Sequence, residues 1–445
     1  MPPSTTSPPA PWVRIPVLGN LLQLMRCGDN MGEYFYDLST TKEYNKVFTI
    51  YMGCHRTIIL NHVDVIQEVL TLRQNDYVDR PTMYSAEKMT DGGMDIAMGK
   101  FGAVWKHQRK VAQLAIKNYA SGENLERMVD EALNITLESI LKESAKGEAF
   151  NIKPHLVLLV MNTLAGVCFG KTYQLEDAEM NDFVDITREV LDVFNNGLPA
   201  DFIPILQYLP TSSREKKIDV LVQKYFDFLE KHLKDHVEKA QSGSDQLNDL
   251  TDYLLWHTEQ EEKDASNKNL LTQKHLLMTV FDVFGGAGPV LLSHRTKMPY
   301  TEACMKENQR RGSVLQLGIP LVTTCDTKID KYDVPKGTLA MVNYWALHND
   351  PEQWHEPSEF RPERFLDAEG NLGPKPRSYY PFAGGRRVCL GEGLAKSTLM
   401  MVIPKLYQAL KISSPLGDQF RIQLDTSSSL MSLPQPYDVI VEQRK

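Results

Sequence analysis

Two hydrophobic rhythms alternate along the chain. Residues 47–60 alternate apolar and polar positions around Gly53 and read as two strands joined by a turn. From Asn61 to Leu72 the period becomes helical, with Val63, Val65, Ile66, Val69 and Leu70 on the apolar side. Longer helical patterns cover 121–142, 153–168, 176–195 and 213–240, the last rich in Lys and Glu. Residues 198–210 are apolar but hold Pro199, Pro204 and Pro210, so they do not form one regular helix. The polar stretch 241–268 reads as a surface loop with one short helical piece. Another helix opens at His275 and runs toward Gly288. Strand patterns return near 318–342, with a turn over 333–337, and again in the last forty residues, up to Glu442. Many helices with a few short sheets predict a mainly α (α-rich α+β) fold. No repeat or shift in composition divides the chain. The expectation is a single domain over 21–445 behind a proline-rich segment at 1–20.

Composition narrows the classes. The chain has 445 residues, 42% hydrophobic and 24% charged, enough for a core that encloses a flat cofactor. Its 49 basic and 57 acidic side chains give a net charge of −8, which argues against a nucleic-acid partner. The six cysteines (Cys27, Cys54, Cys168, Cys304, Cys325, Cys389) include no Cys-x-x-Cys pair, so no zinc site or redox dithiol is suggested and a reducing compartment fits. No run of eighteen apolar residues predicts a membrane-spanning helix, and the first residues lack a signal-peptide pattern. Proline at the density of residues 1–20 gives a stiff, extended segment.

The candidate chemistry centres on Phe382–Gly391, where Cys389 lies between a Gly-rich turn and a helix start. Glycine lets backbone approach a sulfur closely. A helix opening near Gly391 places its positive end beside that sulfur, and Arg386 and Arg387 add charge. A lone cysteine here reads as a buried free thiol or as a permanent metal ligand. The pattern Phe-x-x-Gly-x-Arg-x-Cys-x-Gly is filled at Phe382, Gly385, Arg387, Cys389 and Gly391, and it resembles the haem-ligand loop of the cytochrome P-450 superfamily. Two further motifs share the resemblance. Trp105 and Arg109 stand at i and i+4 on one helix face, matching a motif that contacts a haem propionate. Glu307 and Arg310 have the Glu-x-x-Arg spacing, and Arg364 follows in a Pro-Glu-Arg-Phe segment. The region from Trp345 to Trp354 also resembles the family.

The resemblance implies a cytochrome P-450 fold, many helices with small peripheral sheets. It implies a haem-thiolate monooxygenase that inserts one oxygen atom of O2 into an apolar substrate. The cofactor would be heme b, with electrons from NADPH through a reductase partner. Cys389 would bind the iron, Phe382 would shield the sulfur, and Trp105, Arg109 and Arg387 would hold propionates. Glu307, Arg310 and Arg364 would form a buried charge triad behind the haem loop. Lys106, Lys110, Arg386 and Lys396 form a candidate basic face for an acidic electron donor, or an ordinary solvated surface. Residues 198–210 resemble the loop that roofs the pocket in steroid- and aryl-hydrocarbon-hydroxylating microsomal members; a loop packed on the core is the other reading. Further pocket positions are expected at Phe284–Gly288 and Leu430–Leu433. Pro16, Gly19 and Asn20 resemble the hinge after the membrane anchor of such enzymes, with a disordered tail as the alternative. The family location is the cytoplasmic face of the endoplasmic reticulum membrane. With no anchor ahead of the hinge, the expectation ranges from peripheral membrane contact to a soluble cytoplasmic chain.

The chain departs from the family in 286–321. Members carry an acid–threonine pair in the central helix; here those positions are Val290 and Leu291, after Pro289. The interval from Gly288 to Glu307 is too short for half the central helix and the helices that follow it. The basic residue expected after Pro320 is Leu321. Three explanations compete: an internal deletion from a splice form or gene-model artefact, a degenerate haem protein, or a chemistry that needs no threonine. The sharp edges favour the first. The alternative to a working monooxygenase is a truncated or degenerate haem-binding protein without turnover.

Overall fold

The computed structural model describes residues 7–27, 30–41, 44, 46–119, 122–210, 212–241, 247–263, 271–286, 298–420, 423–425, 431 and 433–444. Among these, helix dominates and the strands are short. The principal sheet joins β1 (Val47–Met52), β2 (His55–Leu60), β3 (Tyr77–Asp79), β5 (Leu321–Thr323) and β8 (Leu339–Val342) in the order β1-β2-β8-β5-β3. β2 and β8 run parallel; the other pairs are antiparallel. A second sheet joins β4 (Phe150–Asn151), β9 (Leu410–Ser413) and β12 (Asp438–Gln443) with β12 central. β6 (Thr327–Ile329) and β7 (Tyr332–Val334) form one hairpin, and β10 (Leu424–Asp425) and β11 (Leu433–Pro434) another. The expected turn at Gly53 is present with φ +60. Residues 8–20 lie along β1: Thr49 N donates to Pro9 O at 2.7 Å and Tyr51 N to Asn20 Oδ1 at 2.7 Å.

Four short helices accompany the sheet, α1 (Leu21–Leu24), α2 (Met31–Ser39), α3 (Val63–Gln67) and α4 (Tyr84–Met89). The helix expected over 61–72 is α3 followed by a π-helical turn, Glu68–Leu72, in which Arg73 N reaches back to Glu68 O at 2.8 Å. The helical layer holds α5 (Ala103–Tyr119), α6 (Gly122–Ser144), α7 (Lys153–Phe169), α8 (Ala178–Asn196), α9 (Pro199–Phe202), α10 (Ser213–Gln241), α11 (Leu250–Lys263) and α12 (Gln273–Gly286). α13 (Pro299–Gly312), α14 (Tyr344–Asn349) and α15 (Glu392–Ala409) complete the described helices. α7 carries buried residues on nearly every side, as a central helix without a polar stripe must. The main core runs from it to α6, α8, α10, α12 and α15.

The polar stretch 241–268 departs from expectation. It contains α11, which buries Leu250, Tyr253 and Leu254 in the core rather than lying on a loop. Their i, i+3, i+4 spacing is helical, but the surrounding charges mask it. Its start is stapled to α10. His236 Nδ1 donates to His232 O at 2.6 Å and Nε2 to Asp249 Oδ2 at 2.8 Å, with Asp252 Oδ1 at 3.9 Å; His236 and Asp249 are almost fully buried. Burial alone would lower the His236 pKa, but the hydrogen bond and charge of Asp249 outweigh it and leave it raised. Both ring nitrogens then donate, so the imidazolium is the form that satisfies the site.

A folded pKa above the unfolded one gives stability that is complete below about pH 6.5 and is lost as pH rises through the folded value. His236→Gln should therefore cost about 3 kcal/mol at low pH and less at high pH, read as the Tm gap between variant and wild type across pH 6 to about 9. A gap that does not change with pH would contradict a charged His236.

Candidate active site

The cysteine loop closes on itself before it meets the rest of the chain. Cys389 N donates to Phe382 O at 3.0 Å and Val388 N to Gly385 O at 3.3 Å, around a 3-10 turn at Gly385–Arg387. Gly385 has φ +66, and a Cβ there would lie 2.5 Å from Leu70 O, so the glycine answers both a left-handed backbone and the close approach of the π turn. α15 begins just beyond Cys389 with Gly391 as its N-cap, as expected. The backbone N–H groups of Gly391 and Glu392 lie on the side of the sulfur where they favour its charged form. Cys389 is exposed by surface area, yet burial is the largest influence on its thiol and pushes it up, ahead of those N–H groups and of Arg109. The two together describe a sulfur crowded by protein yet open on one side, and we call that opening the recess. The helix end alone does not favour the thiolate here; a positive charge placed at the sulfur would. Phe382 is half-buried, with Lys396 Nζ 5.4 Å from its ring centroid.

Three guanidinium groups sit beside this loop. Arg387 is buried and donates to Val78 O (2.8 Å), Ile96 O (3.3 Å) and Gly99 O (2.8 Å). Arg109 donates from Nη2 to Val388 O. Arg80, which sequence reasoning did not find, is buried at the end of β3 and donates to Ala97 O (2.8 Å), Ile319 O (2.9 Å) and Pro320 O (3.1 Å). Trp105 is the platform beneath two of them: Arg387 lies 4.1 Å and Arg109 5.5 Å from its ring. Its own indole N–H is taken by Ile96 O at 2.9 Å. Among the described residues, no carboxylate lies within ion-pair distance of any of the three arginines. Burial, and then their mutual repulsion, push Arg387 down to about 9; burial pushes Arg80 to about 10 and lowers Arg109. Cations whose hydrogen-bond partners are carbonyls have no directly paired counter-charge, and a ligand carrying carboxylates would supply it. The residues present therefore fit a haem: a sulfur at the floor of a recess and guanidines for its two propionates.

Nearby carboxyl groups are held off the arginines. Asp282 of α12 accepts from Ile96 N at 2.6 Å, and Asp95 accepts from Met98 N at 2.9 Å. Burial pushes Asp282 well above the usual carboxylate range, and Asp95 adds to it; burial raises Asp95 as well. Asp95 Oδ1 has no described partner.

The charge triad assembles as its spacing predicts. Arg310 grips Glu307 with two bonds of 2.8 Å, and Arg364 Nε adds a third at 3.2 Å. Glu307 also accepts Arg361 N at 3.0 Å, while Arg310 reaches His348 O and Pro357 O. Glu307 and Arg310 are wholly buried, so every partner is needed.

Other expectations fare differently. Phe284 does not face the recess. It is buried among Phe169, Phe183 and Phe228, because α12 is covered on both sides and turns Thr279 and Asp282 toward residues 94–108 instead. Ile205, Tyr208 and Leu209 point outward, 69%, 81% and 59% exposed. Val290, Leu291 and Leu430 lie outside the described residues, and Leu433 is exposed. Leu321 is buried in β5 without a charge, while Ile319 and Pro320, in the divergent stretch, serve Arg80 through their carbonyls. Lys106, Lys110 and Arg386 are exposed, and Lys396 pairs with Glu392 at 2.5 Å. The groove between α8 and α10, about 450 Å³, is lined by Phe183, Leu221 and Phe228 and lies away from Cys389. No helix among the described residues is long and apolar enough to cross a membrane.

An α-rich fold with such a loop and recess is the architecture of a haem-thiolate oxidoreductase. The sequence profile of the Cytochrome P450 family matches residues 8–290 and 287–441, and the chain belongs to that family, an iron-dependent monooxygenase class. Cytochrome P450 1A1 of Rattus norvegicus is 29% identical over 467 residues, covering 94% of this chain and 87% of that protein. Steroid 17-alpha-hydroxylase/17,20 lyase of Oryzias latipes is 30% identical over 482 residues, covering 96% and 88%. Cytochrome P450 1A2 of Homo sapiens is 29% identical over 463 residues, covering 94% and 88%. These similarities place the chain in the microsomal group.

The triad gives a direct test of the scaffold. Glu307→Ala should cost about 3–5 kcal/mol in chemical denaturation, since it strands the wholly buried Arg310 and removes a partner of half-buried Arg364. Arg311→Ala, on the exposed side of the same helix, should change stability by less than about 0.5 kcal/mol.

Proposed function

We propose that this chain holds a haem b with Cys389 as its iron ligand and inserts one oxygen atom of O2 into a small apolar substrate. The observation that carries the reading is the cluster of buried Arg80 and Arg387 and half-buried Arg109 beside the sulfur, with no carboxylate within ion-pair distance among the described residues. Arg80, Arg109 and Arg387 neutralise the propionates, and Trp105 fixes the last two by stacking. The N–H groups at the start of α15 orient the sulfur. Phe382 and Gly385 shape the loop around it, and Glu307, Arg310 and Arg364 keep the supporting chain rigid. A thiolate-ligated haem supplies O2 activation when bound. Electrons come from NADPH through a reductase, which docks on the basic face of Lys106, Lys110 and Arg386.

The names of the relatives support a steroid-like or aromatic substrate. They also support a place at the endoplasmic reticulum, and exposed Ile205, Tyr208 and Leu209 suit peripheral membrane contact. A shortened interval after Gly288 is supported in two ways. The two family matches meet at 287–290. Against the rat relative, 94% of 445 residues fill about 418 of 467 aligned positions, which leaves about 49 opposite gaps in this chain. Val290 and Leu291 carry no exchangeable side-chain proton, and they favour a second reading: a haem-binding protein without turnover.

The reduced, carbon-monoxide-treated protein should give a Soret band at the position typical of thiolate haem, and Cys389→Ala should lose it. A variant that keeps the band would overturn the ligand assignment. Haem bound with no NADPH-driven product, with reductase present, would decide for the second reading.

A further inference from the structure

Asp201 joins three segments far apart in sequence. It is buried, 3% exposed, at the end of the corner between α8 and α10. Its Oδ1 accepts Ser85 N at 2.8 Å; its Oδ2 accepts Ser85 Oγ at 2.7 Å and Leu198 N at 2.6 Å. Its own carbonyl accepts His55 Nε2 at 3.0 Å, and the next carbonyl, Phe202 O, accepts Cys54 N at 3.1 Å. Two glycines make room for this knot. A Cβ on Gly53 would stand 2.0 Å from Phe202 O, and one on Gly197 3.1 Å from Asp201 Oδ2. Among the described residues, no cation lies within ion-pair distance of the carboxylate.

The place of this knot gives it a role. Ser85 belongs to α4, which interrupts the segment that builds the recess. Arg80 lies just before α4; Asp95, Ile96, Gly99, Trp105 and Arg109 follow it. The turn at 53–55 belongs to the principal sheet, and the corner at 197–202 belongs to the helical layer. The carboxylate therefore ties the α8–α10 corner to α4 beside the recess wall, and the backbone carbonyls of Asp201 and Phe202 tie the same corner to the sheet. A buried carboxylate without a cation is stable only while all its donors are in place, but in water it needs none of them.

We infer that Asp201 is a positioning residue, a latch that holds the α8–α10 corner on the recess wall and sets how long an apolar molecule stays in the recess. The inference rests on the haem-protein reading for its second half only.

Hydrogen exchange and ligand release test the two halves separately on the full haem-loaded chain. In Asp201→Ala, amide exchange in 84–89 and 197–209 should speed up by about tenfold or more, with α6 and α7 unchanged. Release of 4-phenylimidazole, followed at the Soret band, should quicken by a similar factor. Ser85→Ala, which removes one bond of the knot, should shift both readouts less and in the same direction, and serves if Asp201→Ala fails to fold. Unchanged exchange in 197–209 in the folded variants overturns the latch. Faster exchange with unchanged release overturns its control of residence. A wild-type chain without a thiolate-haem band fails the functional reading instead, and the exchange comparison on that chain still decides the latch.

Discussion

Three guanidinium charges, two buried and one half-buried, with no carboxylate in ion-pair distance among the described residues, are the constraint around which this protein is built. Arg80, Arg109 and Arg387 come from the end of β3, from α5 and from the cysteine loop, and each spends its donors on backbone carbonyls. A carbonyl satisfies an N–H but does not cancel a charge. The wall from 78 to 109 therefore folds into a shape that is hydrogen-bonded and still electrostatically incomplete. A ligand with two carboxylates, as proposed above, would complete it.

The rest of the fold keeps that arrangement still. The π turn at Glu68–Leu72 presents Leu70 O to the loop, and only glycine at 385 tolerates the approach. Behind the loop, Glu307 collects two arginines and a backbone N–H, so α13 and the segment around Arg364 cannot move apart without stranding charge. On the other side, Asp282 holds α12 to Ile96, the residue whose carbonyl receives both Trp105 and Arg387. Asp201 adds a tie on the remaining side, between the α8–α10 corner and α4.

Much of this was legible in the sequence, and the pattern of what was not has a physical cause. The cysteine loop and the Glu307–Arg310 pair are local, and their chemistry lies in side chains at fixed spacing. Trp105 and Arg109 share a helix face for the same reason. Arg80 was missed because its partners are carbonyls of Ala97, Ile319 and Pro320, and a carbonyl leaves no mark on residue identity. Phe284 was misplaced because α12 is buried on both sides, and hydrophobic period alone does not say which neighbour each face meets. α11 was underread because three core residues are dispersed among charged ones. Within the divergent stretch 286–321, the carbonyls of Ile319 and Pro320 serve Arg80 whatever side chains they carry.

The central claim, that buried guanidines await two carboxylates, is tested most directly by titrating the haem-free chain with haem and with haem dimethyl ester. The two share the same macrocycle and iron and differ at the two propionates, charged in haem and neutral methyl esters in the other. The account predicts that the ester binds at least about a hundredfold more weakly, with most of the difference lost when Arg80 and Arg387 are both changed to Ala. Equal affinity for the two forms in the wild-type chain would contradict it.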